Sequence, residues 1–318
     1  MIFLISSFIS ATGLVGDERT LFGTVTIFNM KILYNNDMKL SLCIAVYNEE
    51  KNLHYPLDSA LDVVDEVIIV DGGSTDKTVE IAKSYGKKVR VIGSDNPTMF
   101  HKNKQKAISA AKGEWILQLD ADEELSKELK FEIKQIISNN SESKIQNSES
   151  KEKNKKILNS KFNSEFSIHN SKFVAYWLPR KNWFLSGFLM KGGQYPDYTI
   201  RLYKNGVAKF PCKDVHENVE IKGEVGYLKN PILHYADPDF YRYLLRWDRY
   251  TTAEVERMPK DTKLNFFNYF IWKPKITFFM MYFRHKGFMD GFPGFVFALF
   301  SSIRFWAIYV KWQTKRQF

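Results

Sequence analysis

Between residues 40 and 119 the chain alternates short apolar runs with segments of helical period, and this alternation restricts it to very few folds. The runs 40–46, 66–70, 88–93 and 115–119 have strand length, while 49–60, 77–85 and 102–112 predict helices. Strands joined through helices by short connections form βαβ units and a largely parallel sheet. Ligands of such sheets bind beyond the carboxyl ends of the strands. Three polar clusters fall at those ends: Tyr47-Asn48, Asp71-Gly72-Gly73-Ser74 and Asp120-Ala121-Asp122.

The third cluster closes the run WILQLDADEEL at 115–125. In an extended strand, side chains at i and i+2 share a side, so Asp120 and Asp122 are expected to aim at one point while Ala121 turns away. Paired hard oxygens suit Mg²⁺ or Mn²⁺, which complete their shell with water and substrate phosphates. A D-x-D at a strand end is also an ordinary solvated turn, and it is the two neighbouring clusters that favour a metal-diphosphate site. The second cluster, VDGGSTD at 70–76, has neither the G-x-G-x-x-G nor the P-loop pattern. Its Asp71 suits a nucleobase imide or a ribose hydroxyl, and Ser74 or Asp76 suits a helix cap.

Residues 139–171 are dominated by Asn, Ser, Lys and Glu and read as a mobile low-complexity insertion after a helix at 127–137, with a solvated continuation of that helix as the alternative. Order is expected to resume at 175–183 and 197–202, with β-rich segments to about 233 and a helix at 239–258. Beyond 264 the chain is crowded with aromatic residues interrupted by Lys273, Pro274, Arg284, Asp290, Pro293 and Arg304. No unbroken apolar stretch there reaches the roughly 20 residues of a spanning helix. Aromatic faces beside cations predict helices lying in a membrane interface, with a helical hairpin packed on the protein as the alternative. The formal charge of +10 admits nucleic acid, anionic lipid or phosphorylated substrates, but no nucleic-acid-binding pattern is present and no nucleic acid is expected as a partner. Cys43 and Cys212 have no metal or disulfide spacing, which fits a reducing cytoplasm. Residues 1–37 lack a basic flank and an obvious cleavage site, and Met38, directly before the first strand, is expected to be the natural start.

AVYNEE at 45–50, VDGGSTDKT at 70–78 and AKGEWILQLDADEEL at 111–125 together resemble the family 2 glycosyltransferases. GGQYPDYTIRLYKNG at 192–206, DVHENV at 214–219, NPILHY at 230–235 and GFMDGFPGF at 287–295 resemble a narrower group, the bacterial lipopolysaccharide core β-glucosyltransferase-like proteins. The resemblance implies an α/β GT-A nucleotide-diphospho-sugar transferase fold over 38–258, a mostly parallel sheet flanked by helices, followed by an aromatic-rich helical extension at 259–318. It implies inverting transfer from a nucleoside-diphosphate sugar, with UDP-glucose favoured, to a lipopolysaccharide core or other surface glycan or glycolipid acceptor at the inner face of the cytoplasmic membrane. By similarity, Ala45, Tyr47 and Glu49 line the nucleotide pocket, Asp71 contacts the base, and Lys102 and Asn103 help seat the donor. Asp120 faces ribose or metal, Asp122 ligates Mg²⁺ or Mn²⁺, and His234 is a further metal or diphosphate ligand.

An inverting transfer needs a base for the acceptor hydroxyl and an electrophile for the departing diphosphate. Asp197 and Glu217 are the candidate bases, with Arg201 expected to bind phosphate or to orient Asp197. A plain Asp197–Arg201 ion pair is the structural alternative. Two other functions use the same residues differently. A metal-dependent phosphohydrolase or nucleotidyltransferase would also need the aspartates, and a noncatalytic membrane-surface protein would explain the charge and the aromatic tail.

Overall fold

The computed structural model describes residues 39–97, 99–149, 172–212, 219–259 and 261–315, with backbone alone for 139–149. The expectations placed on residues 1–37, on 150–171 and on Glu217 lie outside the described residues.

The first half follows the alternation in the sequence: β1 (Leu40–Val46), α1 (His54–Ala60), β2 (Glu66–Asp71), α2 (Thr78–Ser84), β3 (Val89–Gly93), α3 (His101–Ser109) and β4 (Trp115–Leu119). These strands pair in parallel in the order β3-β2-β1-β4. Both faces of the sheet are covered, which is why β1 reads as an unbroken apolar run rather than an alternating one. Leu40, Leu42, Ile44 and Val46 pack with Leu53 and Leu57 on one side, and Cys43 packs with Ala107 and Ile108 on the other. Gly113 is needed where the chain enters β4, since a Cβ there would stand 2.6 Å from Ser41 Oγ.

The second half is mixed. It comprises β5 (Glu123–Leu125), α4 (Lys127–Glu149), β6 (Phe173–Phe184), β7 (Gly187–Phe188), β8 (Asp197–Lys204), β9 (Ala208–Lys209), β10 (Glu220–Ile221), β11 (Glu224–Tyr227) and β12 (Ile232–Asp237). The sheet continues β4-β8-β6-β12-β5, with β8 antiparallel to β4 and β6, β12 parallel to β6, and β5 antiparallel to β12. Helix α4 runs to Glu149, so the first eleven residues of the expected insertion continue the preceding helix instead of leaving it.

Helix α5 (Phe240–Glu256) starts at Asp239, whose carboxylate accepts from Arg242 N at 2.8 Å, a side-chain N-cap. The tail then forms a π-type turn (268–272), α6 (Lys273–Phe278), further tight turns and α7 (Gly291–Lys315). Helix α7 packs on α5. Tyr243 and Val296 share one cluster, and Val255, Ile308 and Trp312 share another. Lys311 Nζ donates to Asp248 Oδ1, Thr251 Oγ1 and Thr252 Oγ1 at 2.7–2.8 Å. The chain entering the motif at 192–206 is tied to the segment around the motif at 287–295: Lys191 N donates to Asp290 Oδ2 at 2.8 Å, and Gly192 N to the His285 carbonyl at 2.9 Å. The stretch Gly287–Lys315 is long and apolar enough to cross a membrane by length and composition, a possibility that counting unbroken apolar residues had not admitted.

Candidate active site

The carboxyl ends of β1 and β4 open onto a cleft of about 930 Å³, closed on the far side by α5. Ala45, Glu49, Asn103, Asp120 and Asp122 line it together with His234 and Arg242. The first two strand-end loops are tied together. Asn48 N donates to Ser74 Oγ and Glu49 N to Thr78 Oγ1 at 2.8 Å, while Asp76 accepts from Glu50 N at 3.1 Å and from Thr78 N at 3.0 Å. Asp71 has its carboxylate engaged by Gly73 N and Ser74 N, both at 3.1 Å, and is not among the residues lining the cleft. Its oxygens shape the turn that the glycines make possible.

Asp120 and Asp122 do not share a direction. The strand ends at Leu119 and the chain turns, with Glu123 N donating to the Asp120 carbonyl at 3.1 Å and Asp120 N to Glu123 Oε2 at 2.9 Å. The premise of an extended i, i+2 pair therefore fails. Asp120 is gripped by Lys104 Nζ and Arg201 Nη2, each at 2.5 Å. Burial works against its charge, yet Arg201 and Lys104 hold its carboxyl well below the usual range. Asp122 turns instead to β12, with Oδ1 3.5 Å from His234 Nε2 and Oδ2 3.2 Å from Arg242 Nη2. Burial again opposes ionisation of Asp122, and the contact with His234 lowers its pKa.

The pairing of β12 with β5 and β6 brings His234 opposite Glu123 and Asn182. His234 Nδ1 lies 2.7 Å from Asn182 Oδ1, and Asn182 Nδ2 donates to Asp197 Oδ2 at 3.1 Å. A carboxylate only accepts, so the amide nitrogen belongs on Asp197 and the amide oxygen on His234. Nδ1 is then the donor, and in the neutral ring Nε2 is an acceptor facing the Asp122 carboxylate. Two acceptors so placed call for a cation, either a proton or a metal ion. Among the described residues no group of three or more His, Cys, Asp or Glu is arranged around a metal. A metal held by Asp122 and His234 would thus draw its other ligands from water or substrate oxygen, as Mg²⁺ and Mn²⁺ commonly do.

Arg201 departs from expectation. Residues 197 and 201 stand roughly 13 Å apart along β8, and the pairing with β6 shifts register beside Arg201. The guanidinium of Arg201 is buried among Gln118 Oε1, Asp120 Oδ2 and Glu123 Oε1, at 2.5, 2.5 and 2.7 Å, and is absent from the cleft lining. Asp197 pairs instead with Arg180, whose Nη2 and Nε lie 2.7 and 3.0 Å from Oδ2. Partial burial raises the Asp197 pKa, but Arg180 and Asn182 bring it below its ordinary value. Arg180 lines the cleft, and Asp197, 38% exposed at its side chain, is its ion-pair partner.

Lys102 is exposed on α3 and absent from the cleft lining, whereas Lys104, two residues on, is buried and lines it. Asn103 lines the cleft and donates to the Asp95 carbonyl at 2.9 Å. Tyr47 stands exposed at the rim, and Glu49 has its pKa raised by burial, with Asn52 Nδ2 donating to it at 2.6 Å. Sequence reasoning missed Lys104, Glu123, Arg180, Asn182 and Arg242. For Arg242 a signal existed, because Arg242, Arg246 and Arg249 recur at helical spacing on the face of α5 that lines the cleft.

Residues 41–188 match the family model described as glycosyl transferase family 2. An uncharacterised glycosyltransferase of Rickettsia typhi is 29% identical over 280 residues, 84% of either chain. The lipopolysaccharide core biosynthesis glycosyltransferase LpsC of Rhizobium meliloti is 24% identical, covering 84% of this chain and 88% of its own. Among solved structures, S. aureus TarS in complex with UDP-GlcNAc is 16% identical, covers 88% of this chain and 90% of that one, and superposes with a TM-score of 0.39. His234, Asp197 and the arginines of α5 lie beyond the matched span. Residues 41–188 thus carry a family 2 glycosyltransferase domain, set on an α/β sheet with a helical region appended.

Proposed function

We propose that the protein transfers a sugar, with inversion, from a nucleoside-diphosphate sugar to a glycan or glycolipid acceptor, using Mg²⁺ or Mn²⁺ held by Asp122 and His234. The observation that carries this reading is the pair of acceptors, Asp122 Oδ1 and His234 Nε2, facing each other at 3.5 Å in the lining of the cleft. When bound, the metal would neutralise charge developing on the departing diphosphate. Ala45, Tyr47 and Glu49 flank the nucleoside, and Asp120, fixed by Lys104 and Arg201, faces the ribose. Arg242 offers a guanidinium to the diphosphate beside the metal. Asp197 takes the proton from the acceptor hydroxyl as that oxygen bonds to the anomeric carbon and the bond from that carbon to the diphosphate oxygen breaks. Arg180 and Asn182 fix the orientation of Asp197.

A uridine nucleotide and glucose remain the favoured donor components on the sequence resemblance. The relationship to LpsC supports a lipopolysaccharide core acceptor. The tail supports action at the inner face of the cytoplasmic membrane, because Phe267, Trp272, Phe279, Phe283, Met289 and Phe292 are each exposed by 51–70%. Large apolar side chains exposed together in one segment of the chain suit an interaction site, and Lys275, Arg284 and Lys286 in the same segment suit anionic headgroups. Thermal unfolding in a panel of nucleoside-diphosphate sugars tests the donor and the metal together, since a ligand of the folded state raises Tm. A uridine-diphosphate sugar is expected to raise Tm in Mn²⁺ and to do so far less in chelator; no response to any sugar nucleotide in Mn²⁺ would sink the proposal.

A further inference from the structure

A second cavity, of about 420 Å³, lies between α5 and α7. Arg246 and Tyr250 line both this cavity and the catalytic cleft, so the two adjoin along one face of α5. The volume falls within the range of small-molecule sites. Its charge is lopsided, with Arg246, Arg257 and Arg304 against the single carboxylate of Glu254. Arg246 is committed to Asp237. Arg304 lies 5.0 Å from the Phe305 ring and forms no ion pair among the described residues. The buried Tyr243 phenol is raised by burial and by Asp237, and both Arg246 and Arg304 counter that rise, so the two guanidinium groups act on the same corner of the cavity.

We infer that this cavity is an acceptor subsite that takes a sugar bearing a phosphate ester. Guanidinium forks match phosphate oxygens in a bidentate manner. Tyr250 and Trp247 supply flat apolar surface for the face of a pyranose ring. The position also fits, because an acceptor anchored here by its phosphate extends its free hydroxyls toward the adjoining catalytic cleft. This inference rests on the transferase reading above and names the chemical class of its acceptor.

The test is calorimetric titration of the full chain with glucose 6-phosphate and with glucose, in saturating uridine diphosphate and Mn²⁺ so that the donor cleft is filled. Glucose 6-phosphate is expected to bind and glucose to bind at least about tenfold more weakly. Arg304→Gln is expected to weaken the phosphorylated probe by about tenfold or more, and Arg304→Lys, which keeps the charge, to stay within about threefold of the unsubstituted chain. Equal binding of the two sugars, or undiminished binding of glucose 6-phosphate to a folded Arg304→Gln chain, overturns the inference. Displacement of the probe by phosphatidylglycerol vesicles also overturns it, since the cavity would then read a lipid headgroup. Glucose 6-phosphate binding without any binding of uridine diphosphate would leave the subsite standing and remove the donor assignment instead.

Discussion

His234 Nδ1 is held by Asn182 Oδ1 at 2.7 Å, which leaves Nε2 to face Asp122 Oδ1 across 3.5 Å. Asn182 thereby sets both the tautomer and the ring orientation. Partners that orient a metal-binding imidazole commonly contribute about 10- to 100-fold in metal affinity. Asn182→Ala is therefore expected to raise the Mn²⁺ concentration for half-maximal donor hydrolysis by about 10- to 100-fold, and His234→Ala by at least as much. An unchanged Mn²⁺ titration in both variants would remove His234 from the metal site.

Arg201 offers a prediction about stability. It is buried against Glu123, which has no exposed surface, and against Asp120 and Gln118. Replacing Arg201 with Met takes the nearest cation from the fully buried Glu123 and one of two cations from the partly buried Asp120, which keeps Lys104. Breaking a buried pair from one side typically costs up to about 3–5 kcal/mol. Urea unfolding should show that loss as a lowered midpoint with little change in slope. The double variant Arg201→Met with Glu123→Gln should recover part of it. A single variant as stable as the parent would mean that water reaches these carboxylates.

These residues also mark where the sequence was legible. The parallel half was readable because a strand buried on both faces leaves a continuous apolar run, and the order of the strand-end loops follows directly. That order is enough to gather Ala45, Glu49, Asn103, Asp120 and Asp122 in one cleft. The mixed half was harder, since β5, β7, β9 and β10 have only two or three residues each. Which lysine of His101–Ser109 faces inward depends on helix phase: residues 103, 104, 107 and 108 turn toward the sheet, and 102 does not. The partner of Asp197 depends on strand order, because β6 lies beside β8 and supplies Arg180. The turn after Leu119 separated two carboxylates that an extended chain would have brought together.

With Asp197 as the proposed base, its pairing with Arg180 fixes the direction in which transfer should depend on pH. Asp197 has a folded pKa below its ordinary 3.8 because Arg180 and Asn182 outweigh the burial that would raise it. The deprotonated base therefore persists through mildly acid solution, and its protonation enters the kcat/KM profile only below that value. In Arg180→Gln the main cation beside Asp197 is gone, and the acid limb should move to higher pH. The same sign governs stability. Asp197, Asp120 and Asp122 all sit below 3.8 when folded, so the stabilisation they give is present above that value and is lost as pH falls through their folded pKa values. Glu49 acts in the opposite sense: its contribution is full below its ordinary 4.5 and is lost as pH rises through its raised folded value. A profile for Arg180→Gln that overlays the parent would exclude Asp197 as the base.

If the tail is the membrane-attachment face proposed above, attachment and chemistry are separable. Trp272, Phe279, Phe283 and Phe292 are exposed by 57, 57, 51 and 70%, and none lines the catalytic cleft. Exposed side chains of this size contribute little to folding, but inserting one into the interfacial region of a bilayer is favourable in proportion to the apolar area removed from water, about 25 cal/mol per Å². Replacing all four with Ser should reduce cosedimentation with vesicles by at least about 100-fold while donor hydrolysis in solution stays near the parent rate. Binding by the parent should be stronger to vesicles containing phosphatidylglycerol than to phosphatidylcholine alone, and that difference should shrink with salt, because Lys275, Arg284 and Lys286 act through screened charge. Vesicle binding that survives the four substitutions would assign this aromatic face to a protein partner or to a second copy of the chain.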